Sequence, residues 1–201
     1  MPLPLADTQW ATRLIDTLEH DILPLTEKGV ALGNKIFGAA LLLKSDQSTY
    51  LAATNNELDN PLWHGEMHLL KLYYELPEAE RVPVDQLLFV STHEPCSLCL
   101  SAITWAGFDN FYYFFSHEDS RDEFEIPHDL KILKEVFKIG PGQYRRQNAF
   151  WQSFSIIDIV NSLDQSDYLD LQARCKVIKD RYQQLSEQYQ SGKSENSIPL
   201  N

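Results

Sequence analysis

Cysteine is scarce in this chain: there are three in 201 residues, at positions 96, 99 and 175. Two stand close together and the third is alone, so no disulfide framework of the kind that staples small secreted domains is available. Basic residues are also few, with 17 Lys and Arg against 29 Asp and Glu and a net charge of −12. A surface that neutralises phosphates needs a basic stripe. The basic clusters here are Lys131, Lys134 and Lys138, helix-spaced and mixed with acids, and Arg145-Arg146. Both read as solvated faces, so a nucleic-acid partner is disfavoured and a small diffusible substrate favoured. No apolar run approaches the ~18 residues of a membrane-spanning helix. The N-terminal Met-Pro-Leu-Pro-Leu-Ala-Asp has neither the basic start nor the long apolar stretch of a secretory signal. These absences lead us to expect a cytoplasmic protein with no membrane attachment.

What is present suits a globular enzyme. Apolar residues make up 43% and aromatics 11%, enough for one full core plus an appendage. The most informative residues are His64 and Glu66, followed by Pro95-Cys96-Ser97-Leu98-Cys99. A His two residues before a Glu, then Pro-Cys-x-x-Cys after a strand, is the pattern of zinc-dependent base deaminases. His64, Cys96 and Cys99 give three ligands for a tetrahedral Zn²⁺ and leave the fourth position open for water. Glu66 is not counted as a ligand; it is the candidate proton carrier. Other readings explain less. A redox Cys-x-x-Cys would leave His64 and Glu66 without a role. His64 and His68 lie four apart on one helix face, but a His-Glu-x-x-His metalloprotease needs its Glu elsewhere. His68 therefore reads as a supporting or core histidine.

Periodicity places these residues on elements. Residues 7–22 carry Trp10, Leu14, Leu18 and Ile22 at helical spacing. Residues 36–43 and 49–54 read as strands joined by a hairpin loop, and 64–76 as a helix closed by Pro77. A buried strand over 86–93 leads into a helix over 96–106, stopped by Gly107. The helix N-terminus favours the thiolates that zinc requires. Residues 110–115, Asn-Phe-Tyr-Tyr-Phe-Phe, read as a strand buried on both faces. A charged loop is expected over 117–129. Asp129 reads most simply as the N-cap of a helix over 129–138. Strand–helix alternation predicts a βαβ crossover and an α/β fold, a three-layer α/β/α sandwich with a mixed sheet. Two units are expected: a deaminase-type domain over 1–140 and a helical C-terminal extension over 141–201. In the latter, Tyr168, Leu171, Cys175, Ile178, Tyr182, Leu185 and Tyr189 form an apolar seam. Docking on the chain's own domain is favoured over a coiled coil. The segment 148–163 yields no clear element, and the end of the chain reads as a flexible tail.

The stretch Thr92-His-Glu-Pro-Cys-Ser-Leu-Cys-Leu-Ser-Ala-Ile-Thr-Trp-Ala106 resembles the Glu-Pro-Cys-x-x-Cys-x-x-Ala-Ile-x-Trp-Ala helix of the cytidine deaminase superfamily. Within it, the likeness is to the branch of guanine deaminases and tRNA adenosine deaminases. Phe37-Gly38-Ala39 is similar to the Pro-Phe-Gly-Ala of its first strand, Thr54-Asn55-Asn56 to the end of its second. Asn60-Pro61-Leu62-Trp63-His64 stands where the family often has Asp-Pro-Thr-Ala-His. The likeness covers roughly residues 7–130. Ile36 replaces the usual Pro, the Asn55-to-His64 spacing is shorter than in guanine deaminases, and Trp63 is bulkier than the family's Ala. These departures concern the base pocket rather than the metal.

The resemblance implies hydrolytic deamination of an amino-substituted nucleobase, nucleoside or related heterocycle to its oxo product and ammonia. A purine-type, guanine-like substrate is favoured. It implies Zn²⁺ on His64, Cys96 and Cys99 and proton transfer by Glu66. It also implies substrate contacts from Asn55, Phe37 and the backbone of Gly65. By the same resemblance the stretch 117–129 contributes to the substrate pocket, with Phe124, His128 and Asp129 as candidates. Asn55 has a competing reading as a plain turn residue. A homodimer is expected, with the aromatic strand and the seam helix as available surfaces. The alternatives are a tRNA- or other nucleic-acid-editing deaminase, which would need a basic channel, and a non-catalytic zinc protein, which would have lost its acid–base residue. Glu66 argues against the latter.

Overall fold

A computed structural model describes residues 3, 7–140 and 143–200. Helix α1 (Thr8–Asp16) begins where the Asp7 carboxylate accepts the Trp10 N–H at 2.9 Å. The helical run was expected over residues 7–22. It continues instead through a π-helical stretch (Thr17–Ile22) into α2 (Leu23–Ala31). Pro24 sits in the first turn of α2, and the wider turn ahead of it relieves the clash a proline ring imposes on a regular helix.

Strands β1 (Gly38–Leu43) and β2 (Thr49–Thr54) form an antiparallel hairpin. After α3 (Gly65–Glu75), β3 (Leu87–His93) joins the other edge of β1, antiparallel. Helix α4 (Ser97–Ala106) then carries the chain over to β4 (Asn110–Phe115), which lies parallel to β3 as the crossover predicts. Two short helices follow, α5 (His117–Asp122) and α6 (His128–Phe137). A fifth strand, β5 (Gln152–Ser155), adds parallel to β4 and gives the order β2-β1-β3-β4-β5. Helices α7 (Ile156–Asn161) and α8 (Gln165–Gly192) complete the framework.

Strand alternation divides the interior into two cores. Ala40, Leu42, Leu88, Val90, Tyr112 and Phe114 face α1, α2, α7 and α8. Ala39, Leu41, Leu87, Phe89, Phe111 and Tyr113 face α3 and α4. The result is an α/β fold of three layers around a mixed sheet. All six residues of β4 are buried, so its aromatic run is wrapped by neighbouring strands and both helix layers. The seam of α8 is likewise turned inward: Leu171, Cys175, Ile178, Tyr182, Leu185 and Tyr189 all belong to the first core. Arg174 fixes the helix at its flank by pairing with Asp16 at 2.6 Å and Glu19 at 2.5 Å. Neither surface expected to offer a dimer contact is therefore free to do so. Among the described residues no helix is long and apolar enough to cross a membrane.

Three further elements differ from expectation. The expected loop over 117–129 contains α5, whose charged sequence has no apolar period. It is held by a capping box in which Ser116 and Asp119 exchange backbone and side-chain bonds. Helix α6 starts one residue early, behind Pro127, so Asp129 lies inside the first turn and is not its N-cap. β5 is a four-residue, half-buried edge strand, too short to show alternation in the sequence.

Candidate active site

The turn after β2 delivers His64 to the start of α3. Asn56 N–H donates to the Trp63 carbonyl and Trp63 N–H to the Asn60 carbonyl, both at 2.8 Å. The approach is pinned by two glycines: a Cβ on Gly65 would lie 2.7 Å from the Gly38 Cα, so α3 enters closer to β1 than any side chain permits. His68 is not part of the cluster. Its Nδ1 lies 2.8 Å from the Thr54 carbonyl, and its ring stacks on Trp63 at 6.0 Å. Trp63 in turn lies under the Lys71 ammonium on the outer face of α3, neither capping the pocket nor filling the core.

On the other side, β3 ends at His93 and Cys96 becomes the N-cap of α4, its Sγ accepting the Cys99 N–H at 3.5 Å. Cys96 Sγ is 3.4 Å from His64 Nδ1 and Cys99 Sγ is 3.7 Å from it, with the two sulfurs 3.5 Å apart and unbonded. A tetrahedral ion about 2.0–2.3 Å from each donor needs donor separations of roughly 3.3–3.8 Å. The triangle fits that requirement, and one imidazole with two sulfurs is a zinc donor set. A hydrogen bond from Cys99, followed by the contact with His64, holds the Cys96 thiol well below its usual pKa. Burial pushes the Cys99 thiol up. Burial opposes charge on His64, but Cys96 and the carboxylates of Glu57 and Glu66 outweigh it and raise the imidazole to about 9.

Glu66 stands beside this triangle. Its Oε2 is 3.3 Å from Cys99 Sγ and its Oε1 is 2.8 Å from Ser91 Oγ. Burial raises the Glu66 pKa, with the negative Cys96 adding to it. Ser91 Oγ is also 2.7 Å from the His93 carbonyl. One hydroxyl hydrogen serves two acceptors, so Ser91 can donate to an ionised Glu66 and turn to His93 when Glu66 is protonated.

The cluster lies at the foot of a cavity of about 310 Å³ whose wall includes Phe37, His93, Ile126, Asp129, Pro199 and Leu200. Phe37 is where the sequence places it. Asn55 is not on the wall: its Nδ2 donates to Glu57 Oε2 at 2.7 Å, and Glu57 is the residue that borders the space. Gly65 is packed on Gly38 and does not border it either. Glu57 also pairs with Lys35 at 3.0 Å, both side chains being buried, and lies 3.8 Å from His64 Nε2. Asp129 faces in from α6, its carboxyl raised to about 8 by burial and by the nearby Cys96. Glu94 accepts from Tyr144 Oη at 2.5 Å and from the His117 N–H at 3.0 Å. Lys35, Glu57 and the terminal Pro199 and Leu200 had no sequence signal. The first two meet only through folding, and the last two lie in a segment of tail-like composition.

Residues 17–115 match the cytidine and deoxycytidylate deaminase zinc-binding region. Among solved structures, a variant of NE0047 in complex with 8-azaguanine superposes with a TM-score of 0.55 at 14% identity, over 89% of this chain and 84% of that one. A guanine deaminase from Bacillus subtilis gives 0.48 at 23%, over 63% and 76%. A tRNA wobble-position adenosine deaminase gives 0.46 at 16%, over 74% and 94%. No curated protein matches the chain in sequence. With the His, Glu and Cys-x-x-Cys positions all inside it, the region 17–115 is identified as the zinc-binding region of the cytidine and deoxycytidylate deaminase family, on a fold shared with the NE0047 structure.

Proposed function

We propose that this protein is a zinc-dependent hydrolytic deaminase of an amino-substituted nucleobase or related heterocycle, with a purine-type, guanine-like base favoured. The observation that carries the reading is the convergence of His64 Nδ1, the two sulfurs and the Glu66 carboxyl at the foot of one cavity. His64, Cys96 and Cys99 would hold the ion, and zinc when bound acts as a Lewis acid that makes water more acidic. Glu66 then moves the protons. It takes one from the attacking water, gives it to a ring nitrogen, and delivers the second to the departing amine. The water oxygen becomes the oxo group, the C–N bond breaks, and ammonia leaves; one water proton stays on the ring and the other departs with the nitrogen. Ser91 steadies Glu66 in both protonation states. Phe37 and Ile126 supply apolar wall for a flat ring, with Glu57 and Asp129 as polar edges.

The likeness to NE0047, held with 8-azaguanine, guides the choice of purines as first substrates. The reading includes a homodimer, for which the exposed apolar face of α3 and α4 is the available surface. The test is ammonia release from guanine, adenine, cytosine and their nucleosides. Glu66→Gln is expected to keep its zinc while turnover falls by about 10²–10⁴-fold. Undiminished turnover in that variant would remove Glu66 and the reading with it.

A further inference from the structure

Among the described residues that border the cavity, only His93 has a fully buried nitrogen or oxygen without a hydrogen-bond partner. His93 ends β3 and is 2% exposed. Its ring lies among Phe37, Phe115, Phe124 and Tyr182, at centroid distances of 4.6, 4.7, 5.3 and 5.7 Å. Its tautomer follows from its neighbour. Thr92 Oγ1 donates to the Gly38 carbonyl at 3.1 Å and accepts the Gly38 N–H at 3.0 Å. While that hydrogen rests on the Gly38 carbonyl, the hydroxyl meets His93 Nδ1 at 2.9 Å as an acceptor, and in that arrangement Nδ1 carries the proton. Burial holds the imidazole well below its usual pKa, with His117 adding to the effect, so the ring is neutral. Nε2 is then a buried acceptor without a partner, in a residue that borders the cavity beside Phe37.

A buried acceptor left unpaired is costly, and native proteins keep one where something else completes it. We propose that the substrate does so: His93 is a specificity-determining residue whose Nε2 accepts a ring N–H of the heterocycle. The substrate class is then a base with that nitrogen unsubstituted, and methylation or glycosylation there is rejected. Lys35 cannot serve in this role because its ammonium is a donor engaged by Glu57. Glu66 is committed to the proton transfers. The inference rests on the deaminase reading of the cavity and deepens it.

The test is a cycle of variant against analogue. Guanine, adenine and cytosine, each beside its ring-N-methyl derivatives, are assayed for KM and kcat with the zinc-loaded wild type, His93→Phe and His93→Gln. Zinc content and melting temperature are recorded for each. His93→Phe is expected to raise KM for the preferred base by about five- to tenfold, the worth of one hydrogen bond, and to leave kcat nearly intact. One methyl derivative should suffer a similar loss with wild type and no further loss with His93→Phe. His93→Gln, which restores an acceptor, should recover part of the affinity, so that an effect of ring packing alone is told apart. A folded, zinc-loaded His93→Phe with unchanged KM, or methyl effects that simply add to the substitution, would overturn the inference and leave the deaminase intact. Failure of wild type to turn over any base would instead overturn both.

Discussion

Cys96 holds two posts at once: it ends the approach from β3 as the N-cap of α4, and it is one corner of the donor triangle. Cys96→Ala is therefore expected to lower bound zinc to well below one per chain by metal analysis. It should also destabilise the fold by about 0.5–2 kcal/mol through loss of the cap; a full zinc complement would defeat the ligand assignment. His64, Glu66, Cys96 and Cys99 were legible in the sequence because two local turns, one at each helix start, fix their relative positions. Asn55 was legible as a residue type, but not its partner. Its amide turns to Glu57, which is held by Lys35 from 22 residues away, and no local pattern announces that pair. Asp129 was misread for a similar reason. An acid near a helix start looks like a cap until Pro127 is seen to occupy that place.

Elements were legible where they carry a period or a strong stop signal, as in β1 to β4, α3 and α4. They were illegible where short-range polar bonds replace apolar spacing, as in α5, or where an edge strand has four residues. One contact between elements gives a prediction with a definite sign. Lys44, at the end of β1, is fully buried and donates to both oxygens of Asp109, at 2.9 and 2.8 Å, just before β4. Partial burial raises the Asp109 pKa, but the bonds from Lys44 and Asn110 prevail and hold it below the usual value. A depressed carboxylate stabilises the fold fully above its unfolded pKa, about 3.9, and less as pH falls through the lower folded value. Asp109→Asn should thus cost about 1–3 kcal/mol at neutral pH, where it strands a buried ammonium. The figure is kept low because Asp109 itself is half exposed. Urea titrations should show the gap to wild type closing below pH 4. A gap independent of pH would show that the ion pair is not its origin.

Across the whole molecule, 12 excess negative charges surround a cavity whose own polar groups are largely paired. The largest exposed aromatic lies elsewhere: Trp105 is 91% exposed on α4, next to Tyr74, Trp63 and Met67 of the α3 face. A cluster of this kind on a soluble surface marks a contact region. Trp105→Glu is expected to halve the mass seen by light scattering while zinc content and melting behaviour stay close to wild type. A wild type that already scatters as a single chain would remove this face as a subunit contact. Pro199 and Leu200 form part of the cavity wall although they come from the far end of the sequence. A segment fused directly after Leu200 would start against that wall, so a purification handle there is expected to disturb ligand binding.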